Sequence, residues 1–528
     1  MPRLTIDNQA VEVPPGATVL ETARALGKNI PTLCYREGHP ANTSCFVCVV
    51  KINGSSRLLP ACATVAEEGM VVESDTEEVH GVRRTALELL LSDHLGDCLG
   101  PCQAVCPAHV DVPGMLRQIA AGRADQALET FRDASPFPAT LGRICHAMCQ
   151  RACRRGSHDA TVAIQALHRW LGEAAVGRGL VPRPARARHQ SAPYNGDKRV
   201  AIIGAGPAGM AAAYFLQQAG CACVLFEVQP EPGGGLRYGV PEEALPRVVL
   251  EAEIAGALGL GVELRTGQTV DAAGFAALRK EYDAVLIAGG EMTPEGAAAW
   301  GLPWAKHGLA VEEQAALTGM RGVFAAGSAV SPSRHAARAS GEGRVAAEAI
   351  CRYLAGTAVA PPPPVNTHIG RMDAEEVSRL LCEASAEGAV DPGSAGGDFT
   401  AEEAARESRR CLHCDCRGLP DCRLRQYATE YGASPGRFRD GRRRFVLDSS
   451  HPAVIFESGK CISCGLCLQI AQQAREPLGL AFVGRGVQMR TEVPFHEALA
   501  TGLQVAAAEC VATCPTGALA WKESREGE

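Results

Sequence analysis

Residues 199–209 read Arg-Val-Ala-Ile-Ile-Gly-Ala-Gly-Pro-Ala-Gly, an apolar stretch that leads directly into closely spaced glycines. The apolar residues predict a buried β-strand, and the glycines predict a tight turn and the start of a helix. Glycines at this spacing let the backbone approach a pyrophosphate, which sits at the helix N-terminus. Glu227 ends the next predicted strand, where a carboxylate can hold ribose hydroxyls. The stretch therefore predicts a nucleotide-binding domain over residues 197–356.

A second glycine-rich loop at residues 230–241 and two later strands, near 282–290 and 322–329, complete this predicted domain. The residues that we expect to contact the dinucleotide lie in these segments and in the fingerprint. They are Gly204, Gly206, Pro207, Ala208, Gly209, Glu227, Gly234, Gly235, Leu236, Arg237, Val240, Gly289, Gly327 and Ser328.

Eighteen of the 23 cysteines fall into spaced groups on both sides of that domain. The groups are Cys34, Cys45, Cys48 and Cys62; Cys98, Cys102 and Cys106; Cys145, Cys149 and Cys153; Cys411, Cys414, Cys416 and Cys422; and Cys461, Cys464, Cys467 and Cys514. Such spacings are typical of iron–sulfur ligands. Because one electron-transfer step needs only one cluster, the number of groups predicts a series of redox centres. Of the other five, Cys221, Cys223, Cys351 and Cys382 are interpreted as small core hydrophobes.

The first group has a long loop followed by Cys-x2-Cys and a distant fourth cysteine, which favours a [2Fe–2S] ferredoxin. Its first gap is longer than that of the plant-type spacing. Residues 1–80 alternate short β-like runs with a helix, as expected for a β-grasp fold. A structural zinc site is the alternative.

The last group combines Cys-x2-Cys-x2-Cys with a distant Cys514-Pro, which predicts a [4Fe–4S] cluster. Cys510 is an alternate fourth ligand. The compact group between Cys411 and Cys422 suits either a [4Fe–4S] cluster or a zinc knuckle.

Residues 81–175 are predicted to be helical and carry six cysteines, whereas two [4Fe–4S] clusters need eight ligands. The run from Asp97 to Gly114 resembles the N-terminal domain of the small subunit of NADPH-dependent glutamate synthase and of dihydropyrimidine dehydrogenase. That resemblance implies interleaved ligands. The first cluster would use Cys98, Cys102 and Cys153, with His94 in place of the family's first cysteine; the second would use Cys106, Cys145 and Cys149, with His168. The alternative is that each histidine is a polar helix residue.

The loop at residues 230–241 resembles the flavin-contacting loop of the same family, which implies FAD as the cofactor. The family usually has Gly-Asp where this chain has Gly327-Ser328. It also inserts an NAD(P)H-binding domain between the last two strands of the FAD fold. Here only residues 291–320 lie between them, which is too short for such a domain, so we expect no NAD(P)H site of the family type.

Residues 1–80 and 446–528 resemble the ferredoxin portions of complex I-type large iron–sulfur subunits. The predicted fold class is therefore multidomain α/β and α+β. The predicted segments are a β-grasp [2Fe–2S] domain at 1–80, a helical double [4Fe–4S] domain at 81–175, a linker at 176–196, a Rossmann-like FAD domain at 197–356, a linker at 357–400, a cysteine-rich segment at 401–445, and a ferredoxin-like [4Fe–4S] domain at 446–528.

The formal net charge of −7 and the lack of a long basic run argue against a nucleic-acid partner. The N-terminal residues lack the apolar run of a signal peptide, and no apolar stretch is long enough to span a bilayer. We therefore expect a cytoplasmic location with reduced thiols.

Together these features predict an electron-transfer subunit of a multi-subunit oxidoreductase, with one [2Fe–2S] and three to four [4Fe–4S] clusters. FAD would connect two-electron and one-electron steps and is a candidate branching point. The expected partners are hydrogenase, formate dehydrogenase or FMN-type NADH diaphorase subunits, with ferredoxin as a further one, and no residue is singled out as a catalytic acid, base or nucleophile. The alternatives are a self-sufficient NAD(P)H:acceptor oxidoreductase, such as a glutamate synthase small subunit, and a non-catalytic assembly scaffold.

Overall fold

The computed structural model describes residues 1–177, 197–312, 315–392, 398–439, 441 and 444–522, which form two compact units. The first unit contains residues 1–99, 362–383 and 414–528, and the second contains residues 100–361 and 384–413. Within the predicted linker 176–196, residues 178–196 lie outside the described residues.

The elements below are labelled in chain order. The strands are β1 Arg3–Ile6, β2 Gln9–Glu12, β3 Val49–Ile52, β4 Leu58–Pro60, β5 Val71–Glu73, β6 Arg199–Ile203, β7 Ala222–Phe226, β8 Glu263–Arg265, β9 Ala284–Ile287, β10 Val323–Ala325, β11 Leu447–Asp448, β12 Val454–Glu457, β13 Ala481–Val483, β14 Arg490–Glu492 and β15 Leu519–Trp521. The α-helices are α1 Val19–Ala25, α2 Glu77–Ser92, α3 Pro101–Ala104, α4 Val112–Ala120, α5 Ala124–Arg132, α6 Pro138–Ile144, α7 Met148–Arg151, α8 Ile164–Gly177, α9 Pro207–Gln218, α10 Gly235–Tyr238, α11 Arg247–Leu258, α12 Ala272–Glu281, α13 Pro294–Ala299, α14 Ala336–Leu354, α15 Ala374–Leu380, α16 Ala401–Ser408, α17 Arg423–Glu430, α18 Leu466–Gln473, α19 Leu499–Gly502 and α20 Ala507–Thr513.

The N-terminal part of the first unit is a five-stranded sheet in the order β2-β1-β5-β3-β4. Strands β1 and β5 pair in parallel, and the other neighbours pair antiparallel. Helix α1 begins at Thr18, whose hydroxyl accepts a hydrogen bond from the Glu21 N–H, while the Glu21 carboxylate accepts one from the Thr18 N–H. This reciprocal cap satisfies two donors at the helix start. Its buried Val19 and Leu20 belong to the core that covers one face of the sheet.

The C-terminal part of the first unit combines a three-stranded sheet, β11-β12-β15, with a β13–β14 hairpin and helices α18 and α20. A core of buried apolar residues from β12, β15, α18 and α20 holds these elements together.

The second unit contains helices α3 to α8 and a parallel sheet in the order β10-β9-β6-β7-β8. Apolar residues of α4, α5, α6 and α8 and of the sheet with α9 and α14 form one continuous core. Helix α14 lies directly against α9, because a Cβ on Gly343 would come within 2.2 Å of the Ala208 carbonyl oxygen. Between β9 and β10, which are adjacent in the sheet, the described residues form α13 and short β-bridges.

Candidate redox centres

Cys34, Cys45, Cys48 and Cys62 are all buried beside the N-terminal sheet. The thiol of Cys45 donates a hydrogen bond to Cys34 and lowers the pKa of Cys34 to about 5. The Sγ atoms of Cys48 and Cys62 lie 3.4 Å apart, and the hydrogen bond between them lowers the pKa of Cys48. The four thiols therefore form two close pairs, as two irons that each take two thiolates would require.

In the C-terminal part of the first unit, Cys461, Cys464, Cys467 and Cys514 are close enough to influence one another electrostatically. Burial raises the pKa of Cys464 to about 12 and that of Cys467 well above its usual range. The loop from Cys461 to Cys467 includes Ser463 and Gly465, both of which have positive φ.

Cys510, the alternate ligand, is also close to this group and contributes to the raised pKa of Cys467. Its Sγ donates to the carbonyl oxygen of Cys467 at 3.7 Å. Cys510 therefore stays an alternate to Cys514 as the fourth cysteine of the group.

A third group of the first unit joins residues that are more than 300 positions apart in the sequence. Cys98 is buried, and its carbonyl oxygen accepts from the Cys416 N–H at 3.4 Å. Burial, together with the nearby Cys416 and Cys98 thiolates, raises the pKa of Cys422 to about 12. His94 is half-buried, but its Nδ1 atom is buried and has no hydrogen-bond partner. Burial lowers the pKa of its imidazole to about 4, so the ring is a neutral potential ligand.

The backbone around Cys98 is held by Thr367. The Thr367 N–H donates to the Cys98 Sγ at 3.4 Å, and the Cys98 N–H donates to the Thr367 carbonyl oxygen at 3.1 Å. The Thr367 hydroxyl also donates to the Gly96 carbonyl oxygen at 2.8 Å. A donor directed at a thiolate sulfur favours its charged form and raises the potential of a cluster that it ligates.

Lys460 is a buried cation beside this group. Its Nζ lies 2.5 Å from Glu457 Oε1, and its alkyl chain covers Gly96, where a Cβ would come within 2.7 Å of the lysine Cε. Burial lowers the pKa of Lys460, but the negative charges of Cys416 and Glu457 together have the larger effect and raise this pKa. The sequence analysis missed this residue, although it directly precedes Cys461.

In the second unit, Cys106, Cys145 and Cys149 line one cavity. The ring of His168 lies 4.9 Å from that of Phe131, and its Nδ1 is 3.1 Å from the Pro138 carbonyl oxygen. His168 is not among the residues that line the cavity. Its role as a ligand stays a prediction.

Cys102 lies on α3, which packs against α7, and Cys153 follows α7. Arg155 donates from its guanidinium to the carbonyl oxygen of Arg410 at 3.2 Å, and both arginines bond to Asp159. Through these bonds Arg410, which directly precedes Cys411, is held against Arg155 and Asp159, which follow Cys153.

Some residues that the sequence analysis grouped together are assigned to different units, and which of them share a cluster stays a prediction. His94 and Cys98 belong to the first unit, whereas Cys102 and Cys153 belong to the second. Likewise, Cys411 belongs to the second unit, and Cys414, Cys416 and Cys422 belong to the first. Of the four cysteines interpreted as core residues, Cys221, Cys223 and Cys351 are buried, but the interpretation was wrong for Cys382, which is exposed.

Among the described residues, no three His, Cys, Asp or Glu side chains converge tightly enough to hold a single metal ion.

The dinucleotide fingerprint adopts a strand, a turn and a helix start. Gly204 has φ +103°, and a Cβ there would come within 2.5 Å of the Ala288 carbonyl oxygen. A Cβ on Gly209 would lie 1.9 Å from the Gly204 carbonyl oxygen, and one on Gly234 would lie 2.8 Å from the Gly206 Cα. Two glycine-bearing turns thus meet above the N-terminus of α9 and leave backbone exposed for a phosphate.

Two charged candidates of this site bond to its backbone. Glu227 accepts from the Ala205 and Gln229 N–H groups at 2.7 and 2.9 Å, which leaves lone pairs for a further donor. Arg237 is buried, donates to the Pro232 carbonyl oxygen at 2.6 Å and pairs with Glu251. Its observed role is to shape the loop at residues 231–237.

At the end of β10, the Gly327 N–H donates to the Glu342 carboxylate at 2.9 Å, and Ser328 Oγ donates to the Ser333 carbonyl oxygen at 3.2 Å. Glu342 lies on α14 and was not singled out from the sequence. Its carboxylate therefore positions the Gly327-Ser328 turn.

Three segments of the chain match models of known protein families. A model described as a 2Fe-2S iron–sulfur cluster binding domain matches residues 2–77. A model described as dihydropyrimidine dehydrogenase domain II, 4Fe-4S cluster, matches residues 95–179, and an NAD(P)-binding Rossmann-like domain model matches residues 202–254. The predicted combination of [2Fe–2S], [4Fe–4S] and Rossmann-like domains is confirmed.

The chain is 38% identical over 207 residues to the beta subunit of the NADP(+)-dependent formate dehydrogenase of Moorella thermoacetica, covering 36% of this chain and 29% of that protein. It is 35% identical over 202 residues to the NADPH-Fe(3+) oxidoreductase beta subunit of Geobacter sulfurreducens, covering 36% and 28%. Over 173 residues it is 38% identical to glutamate synthase [NADH] of Schizosaccharomyces pombe, covering 32% and 8%.

This chain thus spans less than a third of the length of each of these relatives. The matches confirm that the chain contains iron–sulfur cluster binding domains of types that also occur in oxidoreductase subunits. No helix among the described residues is long and apolar enough to cross a membrane.

Proposed function

We propose that this chain is the flavo-iron–sulfur electron-transfer subunit of a multi-subunit cytoplasmic oxidoreductase. The observation that carries the proposal is the meeting of Cys98 with Cys416 and Cys422, which come from distant parts of the sequence. Burial raises the pKa of Cys422 to about 12, so the thiol alone would stay protonated and unreactive. Bound iron would supply the positive charge that stabilises the thiolates, so such a group of thiols is suited to ligating a cluster.

The proposed ligand sets keep each cluster within one unit. In the first unit they are Cys34, Cys45, Cys48 and Cys62 for the [2Fe–2S] cluster; His94, Cys98, Cys416 and Cys422 for one [4Fe–4S] cluster; and Cys461, Cys464, Cys467 and Cys514 for another. The second unit would hold two more [4Fe–4S] clusters with three ligands each. One set is Cys106, Cys145 and Cys149, and the other is Cys102, Cys153 and Cys411. The set at His94 replaces the family-type set that joined it to Cys102 and Cys153. Cys414 as a metal ligand stays a prediction.

FAD is the proposed cofactor of the Rossmann-like domain. The bound flavin would accept or donate two electrons and exchange them one at a time with the clusters. This chain contributes the close glycine turns at Gly206 and Gly234 for the pyrophosphate, and Glu227 for a ribose hydroxyl. Whether the flavin is also a branching point depends on its reduction potentials.

The partners would carry the terminal chemistry. Two relatives are beta subunits, of a formate dehydrogenase and of an NADPH-Fe(3+) oxidoreductase. We therefore propose a formate dehydrogenase, hydrogenase or NADH diaphorase subunit as the partner, with ferredoxin as a further electron carrier.

A second candidate is a self-sufficient NAD(P)H:acceptor oxidoreductase. The description of the Rossmann-like match as NAD(P)-binding favours it. In that case the fingerprint itself would hold the nicotinamide dinucleotide, and the purified chain would release no flavin on denaturation.

The iron count tests the proposed clusters. One two-iron and four four-iron clusters hold about 18 irons per chain. Cys422→Ala should lower the iron content of anaerobically purified protein by about four atoms and remove one [4Fe–4S] EPR signal. Cys382→Ala is the matched control, because Cys382 is exposed and belongs to none of the proposed sets. Equal iron in both variants would contradict the cluster at Cys422.

A further inference from the structure

The cavity lined by Cys106, Cys145 and Cys149 has an empty volume of about 390 Å³, including its open mouth. Because this volume counts all the space between the lining atoms and the solvent at the mouth, it describes a half-open cleft rather than an enclosed void.

The three cysteines approach the cavity from two segments. Cys106 follows α3. Cys145 precedes α7 by a short turn, and Cys149 lies in the first turn of α7. The Cys145 and Cys149 thiols have raised pKa values, first because of burial and then because of the nearby Cys106 thiolate. A [4Fe–4S] cluster takes four ligands, so three thiolates leave one iron corner for another side chain.

The remaining side of the cavity is formed by the start of α14. His335, Ala336 and Ala337 line it there, and His146, between the two cysteines of α7, lines it as well. The rings of His146 and His335 lie 4.4 Å apart at 59° and are exposed at the mouth. Imidazole binds iron, and its replacement of thiolate raises the potential of a cluster.

His335 is better placed than His146 to supply the fourth ligand. His146 belongs to the same short loop as Cys145 and Cys149, which already supplies two corners. His335 comes from the opposite wall and is the N-cap residue of α14, where no side chain caps the helix. The partial positive charge at the start of this 19-residue helix also favours an anionic cluster.

The same helix reaches the dinucleotide site. Glu342, seven positions after His335, accepts from the Gly327 N–H, and Gly343 lies against Ala208 of α9. Seven helical residues span about 10 Å. Helix α14 therefore extends from this cavity to the dinucleotide site within two turns.

We infer that His335 is the fourth ligand of the [4Fe–4S] cluster at Cys106, Cys145 and Cys149, and that α14 thereby fixes the cluster to the flavin site. This inference rests on the proposed function, because it needs a cluster in that cavity. It assigns His146 the role of packing against the ligating ring and makes His168 a core residue.

Pulsed EPR of the reduced holoprotein tests the assignment through the nitrogen coupling of each cluster. With His94 also a ligand, two nitrogen-coupled signals are expected, and His94→Ala identifies its own. His335→Ala should remove the other signal. His335→Cys should keep the wild-type iron content, lose the same nitrogen coupling and shift the cluster potential downwards, because thiolate replaces imidazole. His158→Ala is the control, since His158 is exposed in the same helical region and does not line the cavity.

Persistence of the coupling in both His335 variants would overturn the assignment, as would its loss in His146→Ala or His168→Gln. Cys149→Ala separates this failure from that of the proposed function. If it leaves the iron content unchanged, the cavity holds no cluster and the proposed function loses that centre; if it lowers the iron by about four atoms, only the identity of the fourth ligand is in question.

Discussion

At the scale of single residues, Lys460 and Glu457 form a buried ion pair in the first unit, with the lysine side chain 2% and the glutamate 10% exposed. Lys460→Met keeps most of the side-chain volume but leaves the glutamate buried without its cation. Breaking such a pair costs about 3–5 kcal/mol, because an uncompensated charge remains inside the protein. We expect a lower apparent melting temperature in anaerobic calorimetry of the holoprotein.

The double variant Lys460→Met/Glu457→Gln is the control for this prediction. Because it removes both charges, it should recover most of the lost stability. A single variant as stable as the wild type would show that Glu457 is solvated or paired elsewhere.

At the scale of elements, helix α11 caps helix α6 through a buried carboxylate. Glu253 accepts from the N–H groups of Ala139 and Thr140 at 2.6 and 2.8 Å. Burial raises the pKa of Glu253 from its ordinary 4.5 to about 7, although these hydrogen bonds partly offset it. Since Cys145 directly follows α6, this cap also supports a proposed ligand.

The raised pKa of Glu253 determines whether the stability of the fold rises or falls with pH. A carboxyl that binds its proton more tightly in the folded state stabilises the fold fully below pH 4.5, and this contribution is lost as the pH rises through about 7. The change is on the order of 3 kcal/mol. The apparent melting temperature of the second unit should therefore fall between pH 5.5 and 8.

Glu253→Gln removes the titrating group but keeps an acceptor for the two N–H groups. The variant should lose that part of the decline in melting temperature between pH 5.5 and 8. The same slope in wild type and variant would contradict the assignment of this pH dependence to Glu253.

At the scale of the whole molecule, the sequence predicted the domain types well, because each depends on a local pattern. The fingerprint at residues 199–209 requires only a strand, a turn and a helix, and the spacing around Cys461 lies within one loop. These local patterns do not depend on how the rest of the chain folds.

Which cysteines share a cluster stays a prediction, because that depends on long-range packing. No spacing in the sequence indicates that the backbone of Cys98 meets that of Cys416. The supporting residues were missed for the same reason. Lys460, Thr367 and Glu342 act through contacts that no spacing reveals.

The central claim is that this chain is an internal relay that depends on partner subunits for its electrons. The most direct test follows flavin and cluster absorbance of the anaerobic protein during addition of NADH, then NADPH, then dithionite. We predict that absorbance bleaches only with dithionite, since residues 291–320 hold α13 and short bridges within their described part. Prompt bleaching by either nucleotide would contradict the claim and make the self-sufficient NAD(P)H oxidoreductase the better account.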